Sequence, residues 1–327
     1  MRLIITIPLI FSVFNCLVAD DLYRYSFQEK HMGTYVKIIM YHCDREEAIA
    51  AAEAAYDTIN LMNQVMSDYL ANSEINQLNN APAKKRVSVS PQLFQVLKKA
   101  YKMSKLTNGA FDVTVGPVVK LWRKARKDEK LPEKQALQKA GKAVGYKKIM
   151  LKDSFVVKKK DGMSLDFGGI GKGIAMQAAM KAINDAGIQR VLIDAGGDIL
   201  VAQSPPEEKG WKITVGLFEH SRYKKELFLE NTAIASSGDL YQFLEVEGIR
   251  YSHIVNPVTG MGVTGQRRST VIGPDAAVAD ALASALCVVP CKQVQKLITA
   301  FDGYQALVFE NDDGSKIKIL EDFLKLK

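Results

Sequence analysis

The segment MSLDFGGIGKGIAMQ, residues 163 to 177, runs from an apolar stretch into Asp166. It then passes through Gly168, Gly169, Gly171 and Gly173 as a helical pattern begins. A glycine turn feeding a helix N-terminus exposes backbone N–H groups and favours an anion there. Packing alone is the competing use of such a turn. Two familiar phosphate loops fail on these residues. A dinucleotide fingerprint built on Gly169 and Gly171 requires glycine where Ile174 stands, and a P-loop ending in Lys172 requires glycine where Asp166 stands. A nicotinamide dehydrogenase loses its fingerprint by the same comparison.

Other segments carry chemistry of their own. DAGGDI, residues 194 to 199, is a second acid-glycine turn, and SHIVNPVTG sets His253 and Ile254 beside an Asn-Pro turn. In VADALASA, Asp280 precedes Ser284 by four residues, which places the two side chains on one helical face. A carboxylate beside a hydroxyl suits a hard cation such as Mg²⁺ better than zinc. The same pair elsewhere serves as a cap or a local hydrogen bond. Cys287 and Cys291 are separated by Pro290 and have no histidine close by, so two half-buried thiols are expected rather than a zinc site.

These residues need elements to hold them. YVKIIMYH alternates as a strand, and Asp44 with Glu47 is spaced as a capping box at the head of a helix. Ile49, Ala52, Tyr56, Ile59, Met62 and Met66 recur at helical spacing as a core stripe. MSDYLANSEINQLNN reads as polar loop. Ser90 and Pro91 start a second helix that Asn108–Gly109 ends, and a third follows Pro132 and stops near Gly145. A helix from about 172 to 186 is ended by Gly187, and RVLIDAGGDI returns as a buried strand. Strand-like pieces fill 211 to 272, followed by helices around DAAVADALASALCVV and KQVQKLITAF and by the strands QALVFE and KIKIL. No repeat or linker divides the chain, so the expectation is one α+β domain over 20–327 with inserted basic helices.

Residues 1–19 read as an export signal: Arg2, an apolar run, then Asp20 and Asp21. Two processing routes stand open, cleavage after Ala19 or lipidation of Cys16, which would tether a periplasmic protein to the inner membrane. The net charge of +8 is concentrated between Lys120 and Lys160, where fifteen Lys and Arg face four acids. That tract has no regular aromatic interleaving, so nucleic acid is not an expected partner. A solvated helical face, anionic lipid headgroups or an acidic partner are the readings it leaves.

Taken together, HMGTYV, MSDYLANSEINQLN, TNGAFDVTVGPVVKLW, LDFGGIGKGIAMQ, DAGGDI, ASSGDLYQF, SHIVNPVTG and VADALASALCV resemble the ApbE family of FAD:protein FMN transferases. They occur in the family's order between Met32 and Val288. The resemblance implies a single flavin-transferase fold of mixed strands and helices, related to the T-fold. It also implies FAD as donor, Mg²⁺ as cofactor, and exported client flavoproteins such as subunits of membrane redox pumps as acceptors.

Carried over residue by residue, Met32 packs on the flavin and Tyr69 stacks on a ring of FAD. Ala110, Phe111, Asp112, Asp166 and Gly168 line the dinucleotide, and Lys172 lies near the pyrophosphate. His253 and Ile254 belong beside flavin and phosphates, with His253 as the candidate base. The metal takes the Asp280 carboxylate, the Ser284 hydroxyl and backbone oxygens of Gly171 and Ala283. This chain departs from the family at Gly171, often Ala; at Ser284, often Thr; and at Asn256, often Asp. Two further readings use the same site: an FAD pyrophosphatase yielding FMN and AMP, and a non-catalytic flavin-binding lipoprotein.

Overall fold

The computed structural model describes residues 21–216, 224–239, 242–311 and 317–321. The expected export segment, Cys16 included, lies outside the described residues. β1 (Tyr23–His31) and β2 (Thr34–His42) form a hairpin. Its two turn residues, Met32 (φ 49) and Gly33 (φ 78), hold the left-handed conformation that tight hairpins demand. Next come α1 (Arg45–Met66), α2 (Glu74–Asn80), β3 (Val87–Ser88) and α3 (Pro91–Leu106). They lead to α4 (Gly116–Asp128), α5 (Lys134–Gly141), β4 (Ile149–Lys152), β5 (Phe155–Lys158) and α6 (Gly171–Asp185).

The second half is richer in strands: β6 (Arg190–Ala195), β7 (Asp198–Val201), β8 (Trp211–Gly216), β9 (Lys224–Leu229) and β10 (Thr232–Gly238). β11 (Phe243–Val246), β12 (Ile249–Val255), β13 (Gly262–Thr264) and β14 (Gln266–Gly273) follow. α7 (Ala276–Val288), α8 (Cys291–Ile298), β15 (Gln305–Asn311) and β16 (Ile317–Glu321) complete the described chain.

One antiparallel sheet organises the α+β fold, in the order β1-β2-β6-β7-β10-β14-β15-β16. Strand alternation divides its side chains between two faces. Ile38, Met40, Val191 and Ile193 join the large core built with α1, α6 and α7. Ile39, Leu192 and Ile234 face the opposite way and are covered by the β8–β9 hairpin through Trp211, Ile213 and Leu227. A third cluster packs α4 against β11 and β12 through Trp122, Leu244, Tyr251 and Val255. α6 and α7 touch backbone to backbone: a Cβ added at Gly173 would lie 2.3 Å from the Ala276 carbonyl oxygen. Among the described residues no helix is long and apolar enough to cross a membrane.

Several local expectations are revised. Residues 74–80 form a helix rather than loop, capped by the Ser73 hydroxyl, because Ile75 and Leu78 are buried three apart. RVLIDAGGDI is a hairpin, not one strand, since Gly196 (φ 67) and Gly197 (φ 93) turn the chain between β6 and β7. The capping box at α1 is half formed. Asp44 accepts from the Glu47 N–H at 2.9 Å, but the Glu47 carboxylate pairs with His42. His42 Nδ1 accepts the Asp44 N–H in its place.

Candidate active site on the glycine turn

The acid, glycines and lysine of residues 166–173 converge on α7. Asp166 caps its own turn by accepting the Gly168 N–H at 2.7 Å. Gly169 sits directly under Ser284: a Cβ there would be 2.8 Å from Ser284 Oγ and 3.4 Å from Phe111 Cε2. Four residues on, the Gly173 N–H donates to Asp280 Oδ2 at 3.1 Å. The glycines are therefore needed for contact with α7, and they leave backbone rather than side chain facing Asp280 and Ser284. On the other side of the turn, Gly171 approaches Met32, whose Sδ-methyl carbon lies 3.6 Å from the position of an added Cβ.

Lys172 heads α6 between two acids. Its ammonium pairs with Asp198, the first residue of β7, whose side chain is nearly inaccessible. Asp198 Oδ1 accepts the Ser236 N–H at 2.9 Å, so one carboxylate ties β10 to the lysine. Burial works against the Lys172 charge, but Asp198 and then Asp280 outweigh it and hold the amine protonated. Asp280 is pushed up to about 7, by burial first and by Asp198 second. Two carboxylates around one ammonium leave this end of the site with an excess of negative charge.

A second charged cluster flanks the turn. Asp166 Oδ2 accepts from Arg123 Nη2 at 2.8 Å, and Arg123 Nη1 reaches Asp68 Oδ2 at 2.5 Å. The guanidinium also lies over the Tyr69 ring, 4.3 Å from its centroid. Tyr69 itself is 76% exposed and presents a bare aromatic face at the rim. Burial, with Asp68 adding to it, raises Asp166 despite the arginine.

The remaining expected residues divide into near and remote. Phe111 is buried against the turn, and Ala110 packs half-buried beside the core. The Asp112 carboxylate is committed to its own loop: Oδ1 accepts from the Thr114 N–H and hydroxyl, and Oδ2 accepts from the Tyr146 N–H at 2.7 Å. It shapes the loop behind Phe111 and has no free face toward the turn. Half-buried His253 lies on β12, within electrostatic reach of Lys172 and Arg126. Its Nδ1 is 3.1 Å from the Gln242 carbonyl oxygen, which can only accept, so Nδ1 carries the proton and Nε2 the lone pair. Burial depresses the pKa of this imidazole below 6.5. The Ile254 N–H is held by the Ser252 hydroxyl at 3.0 Å.

The donor set fits a hard divalent cation that brings phosphate oxygens with it. No group of three His, Cys, Asp or Glu able to hold a metal occurs among the described residues, so protein carboxylates alone do not build a cage. A buried acid and an adjacent hydroxyl on α7 leave the rest of an octahedron to carbonyls, water and substrate, as is usual for Mg²⁺. Of the carbonyls that the family resemblance implies, Ala283 O accepts the Ser269 hydroxyl, at 2.5 Å. Gly171 is the first residue of α6, where a carbonyl enters the helical ladder. Gly169, not singled out from sequence, is the turn residue that faces Ser284. Asp68, Arg123, Arg126 and Asp198 also escaped the sequence reading as individual residues. Asp68 and Asp198 lie inside quoted motifs, whereas the arginines are hidden in the basic tract.

Comparison with known proteins agrees with this fold. The sequence pattern of the ApbE family matches residues 32–308. A Vibrio cholerae protein named FAD:protein FMN transferase is 29% identical over 261 residues, 78% of each chain. A Haemophilus influenzae protein of the same name is 28% identical over 318 residues, covering 92% of this chain and 91% of its own. The crystal structure of the ApbE protein from Thermotoga maritima superposes with a TM-score of 0.83 at 28% identity, covering 93% of this chain and 99% of that one. The flavin transferase ApbE from Vibrio cholerae gives 0.82 at 24% identity, with 92% and 97% covered. With the family pattern spanning the turn, α7 and the His253 strand together, this chain belongs to the ApbE family.

Proposed function

We propose that this protein transfers FMN from FAD to a Thr or Ser hydroxyl of an exported client flavoprotein, releasing AMP. The observation that carries the reading is the seating of the glycine turn on α7. It brings Gly169, Lys172, Asp280 and Ser284 together around the head of α6, as a pyrophosphate and a divalent cation require. The relatives named above, which are FAD:protein FMN transferases, support it.

FAD lies with its pyrophosphate at the turn, its flavin toward Met32 and a ring on exposed Tyr69. The client hydroxyl oxygen attacks the FMN-side phosphorus. A new P–O bond forms, the P–O bond to AMP breaks, and AMP leaves with the bonding pair. The hydroxyl proton passes to Nε2 of His253, which is neutral at pH 7 and oriented by its Nδ1–H bond to Gln242. Lys172 keeps its charge and neutralises the phosphoryl oxygens as negative charge develops. Asp280 and Ser284, with turn and α7 backbone oxygens, would hold Mg²⁺, which when bound withdraws charge from the phosphates.

Export belongs to the same proposal, with cleavage after Ala19 or a tether through Cys16 as its two routes, supported by the apolar run before Asp20. The exposed part of the basic tract is then available to anionic headgroups. The test uses purified protein, FAD and Mg²⁺, with and without a peptide carrying the family's acceptor motif. Covalent FMN on the peptide in step with AMP is the expected result. AMP and free FMN with unlabelled peptide would make the protein an FAD pyrophosphatase, and intact FAD in both tubes would make it a flavin binder.

A further inference from the structure

Arg126 stands apart from the other charged side chains that keep a buried polar atom. Among the described residues, the side chains of Asp198, Asp239, Arg250 and Arg267 also keep a buried polar atom without a hydrogen bond, but each has an ion-pair partner. Arg126 has none: Nη1 is buried and unpaired, and no carboxylate of the described residues lies within ion-pair distance of its guanidinium. Burial, then the repulsion of Arg123, lowers its pKa, with only Tyr69 acting the other way. Arg126 is half-buried, and a guanidinium nitrogen taken from water without a partner is a costly arrangement unless an anion completes it.

Its position says which anion. α4 carries Trp122, whose indole N–H donates to the Gly260 carbonyl at 2.9 Å and anchors the helix to the loop after β12. One helical step on, Arg123 is saturated by Asp68 and Asp166. Arg126 follows at i+3 on the same side, within electrostatic reach of both Tyr69 and His253. By contrast Lys158, another buried cation, already donates to the carbonyls of Asn79 and Met163 and faces a cavity of about 470 Å³ away from these residues. We infer that Arg126 is a phosphate-binding residue of the active site, its guanidinium completing its hydrogen bonds on the diphosphate oxygens of bound FAD. The inference rests on the FAD-dependent reading of the site and adds to it a second cation opposite Lys172. Arginine suits the task because its planar fork meets two phosphate oxygens at once.

The test compares wild type with Arg126→Ala, Arg126→Gln and Arg126→Lys, and with Lys127→Ala as an exposed control on the same helix. Binding of FAD, ADP and riboflavin is measured by titration, alongside KM and kcat for FMN transfer. Loss of a charge-assisted contact should weaken FAD and ADP about tenfold to a hundredfold in the Ala and Gln variants and raise KM for FAD. Riboflavin, which has no phosphate, should stay within about twofold, Lys should recover part of the loss, and Lys127→Ala should match wild type. Unchanged FAD and ADP affinity in the Arg126→Ala and Arg126→Gln variants of an enzyme that transfers FMN would overturn this inference alone. Equal weakening of riboflavin and ADP would make Arg126 structural, and a change confined to the KM for client would assign it to an acidic client residue. A wild type that binds ADP through Arg126 yet never consumes FAD would keep the inference and remove the transferase. A wild type that binds neither ADP nor FAD would end both.

Discussion

The glycine turn is flanked by two clusters of the same stoichiometry, one cation between two carboxylates, and they are built for different work. In the first, Lys172 lies between Asp198 and Asp280, where α6, α7 and β7 meet. In the second, Arg123 bridges Asp68 and Asp166 beneath exposed Tyr69. Lysine is a point charge on a flexible stem and can shift toward an incoming phosphate, leaving its carboxylates to a metal. Arginine holds both acids through a rigid fork and so fixes the loop before α2 to the turn. The first cluster is chemically poised, with Asp280 at about 7; the second is a brace that sets the width of the site.

That contrast can be broken most directly at Asp280. In Asp280→Ala, metal-dependent FMN transfer should fall by roughly a thousandfold or more, because one metal-binding carboxylate is removed. The added Mg²⁺ and FAD should also cease to raise the melting temperature. Client labelling and thermal melts read the two effects; full activity would remove Asp280 from the site.

Next in size is the helix contact that seats the turn. Gly173→Ala places a methyl 2.3 Å from the Ala276 carbonyl, and α6 must move from α7 at a cost of about 1–3 kcal/mol or more. Gly171→Ala meets nothing closer than 3.6 Å and should be neutral or stabilising by up to about 1 kcal/mol. Denaturant melts of the pair decide it, and equal losses would contradict the packing described for the turn.

The brace should behave differently from the poised cluster. Arg123→Ala leaves two largely buried acids without a cation and should cost about 2–3 kcal/mol, with a rise in KM for FAD but a smaller fall in kcat than Lys172→Met. If kcat collapses while KM holds, Arg123 contacts the reacting phosphate and the division into brace and poised cluster fails.

The smallest effect is a pH shift. Burial disfavours the imidazolium of His253, so the neutral base persists below pH 6.5 and the acid limb of kcat/KM should lie under that value. The sign for stability is the opposite of a paired histidine. The unfolded chain takes up the proton first as pH falls through 6.5, so His253 makes acid conditions destabilising. An acid limb that is unmoved in His253→Gln would assign the base elsewhere.

Much of this was legible without coordinates wherever local chemistry dictates local structure. Ser90 and Pro91 cap α3 as their types require, and Asn108 (φ 50) and Gly109 (φ 81) end it in the left-handed region. Asp280 and Ser284 share a helix face by spacing alone. The loop reading of 74–80 failed because polar residues outnumber the two apolar positions that tertiary burial selects. Asp112 carries an acid at a motif position, yet beyond its local bonds to Thr114 it is held by the Tyr146 N–H, more than thirty residues away.

The sequence by itself determined the capped helices, most strands and the family, because helix caps, glycine turns and alternating strands are fixed by neighbours a few residues apart. Only the tertiary structure decided which charges meet. Arg123 and Arg126 read as two more cations in a basic tract, and nothing within that tract distinguishes them from Lys124 or Lys127. Packing of Trp122 against β12 turns one side of α4 inward, giving Arg123 two acids and leaving Arg126 with none. Long-range electrostatics follow from how elements pack, and packing depends on the whole apolar pattern at once rather than on any one motif.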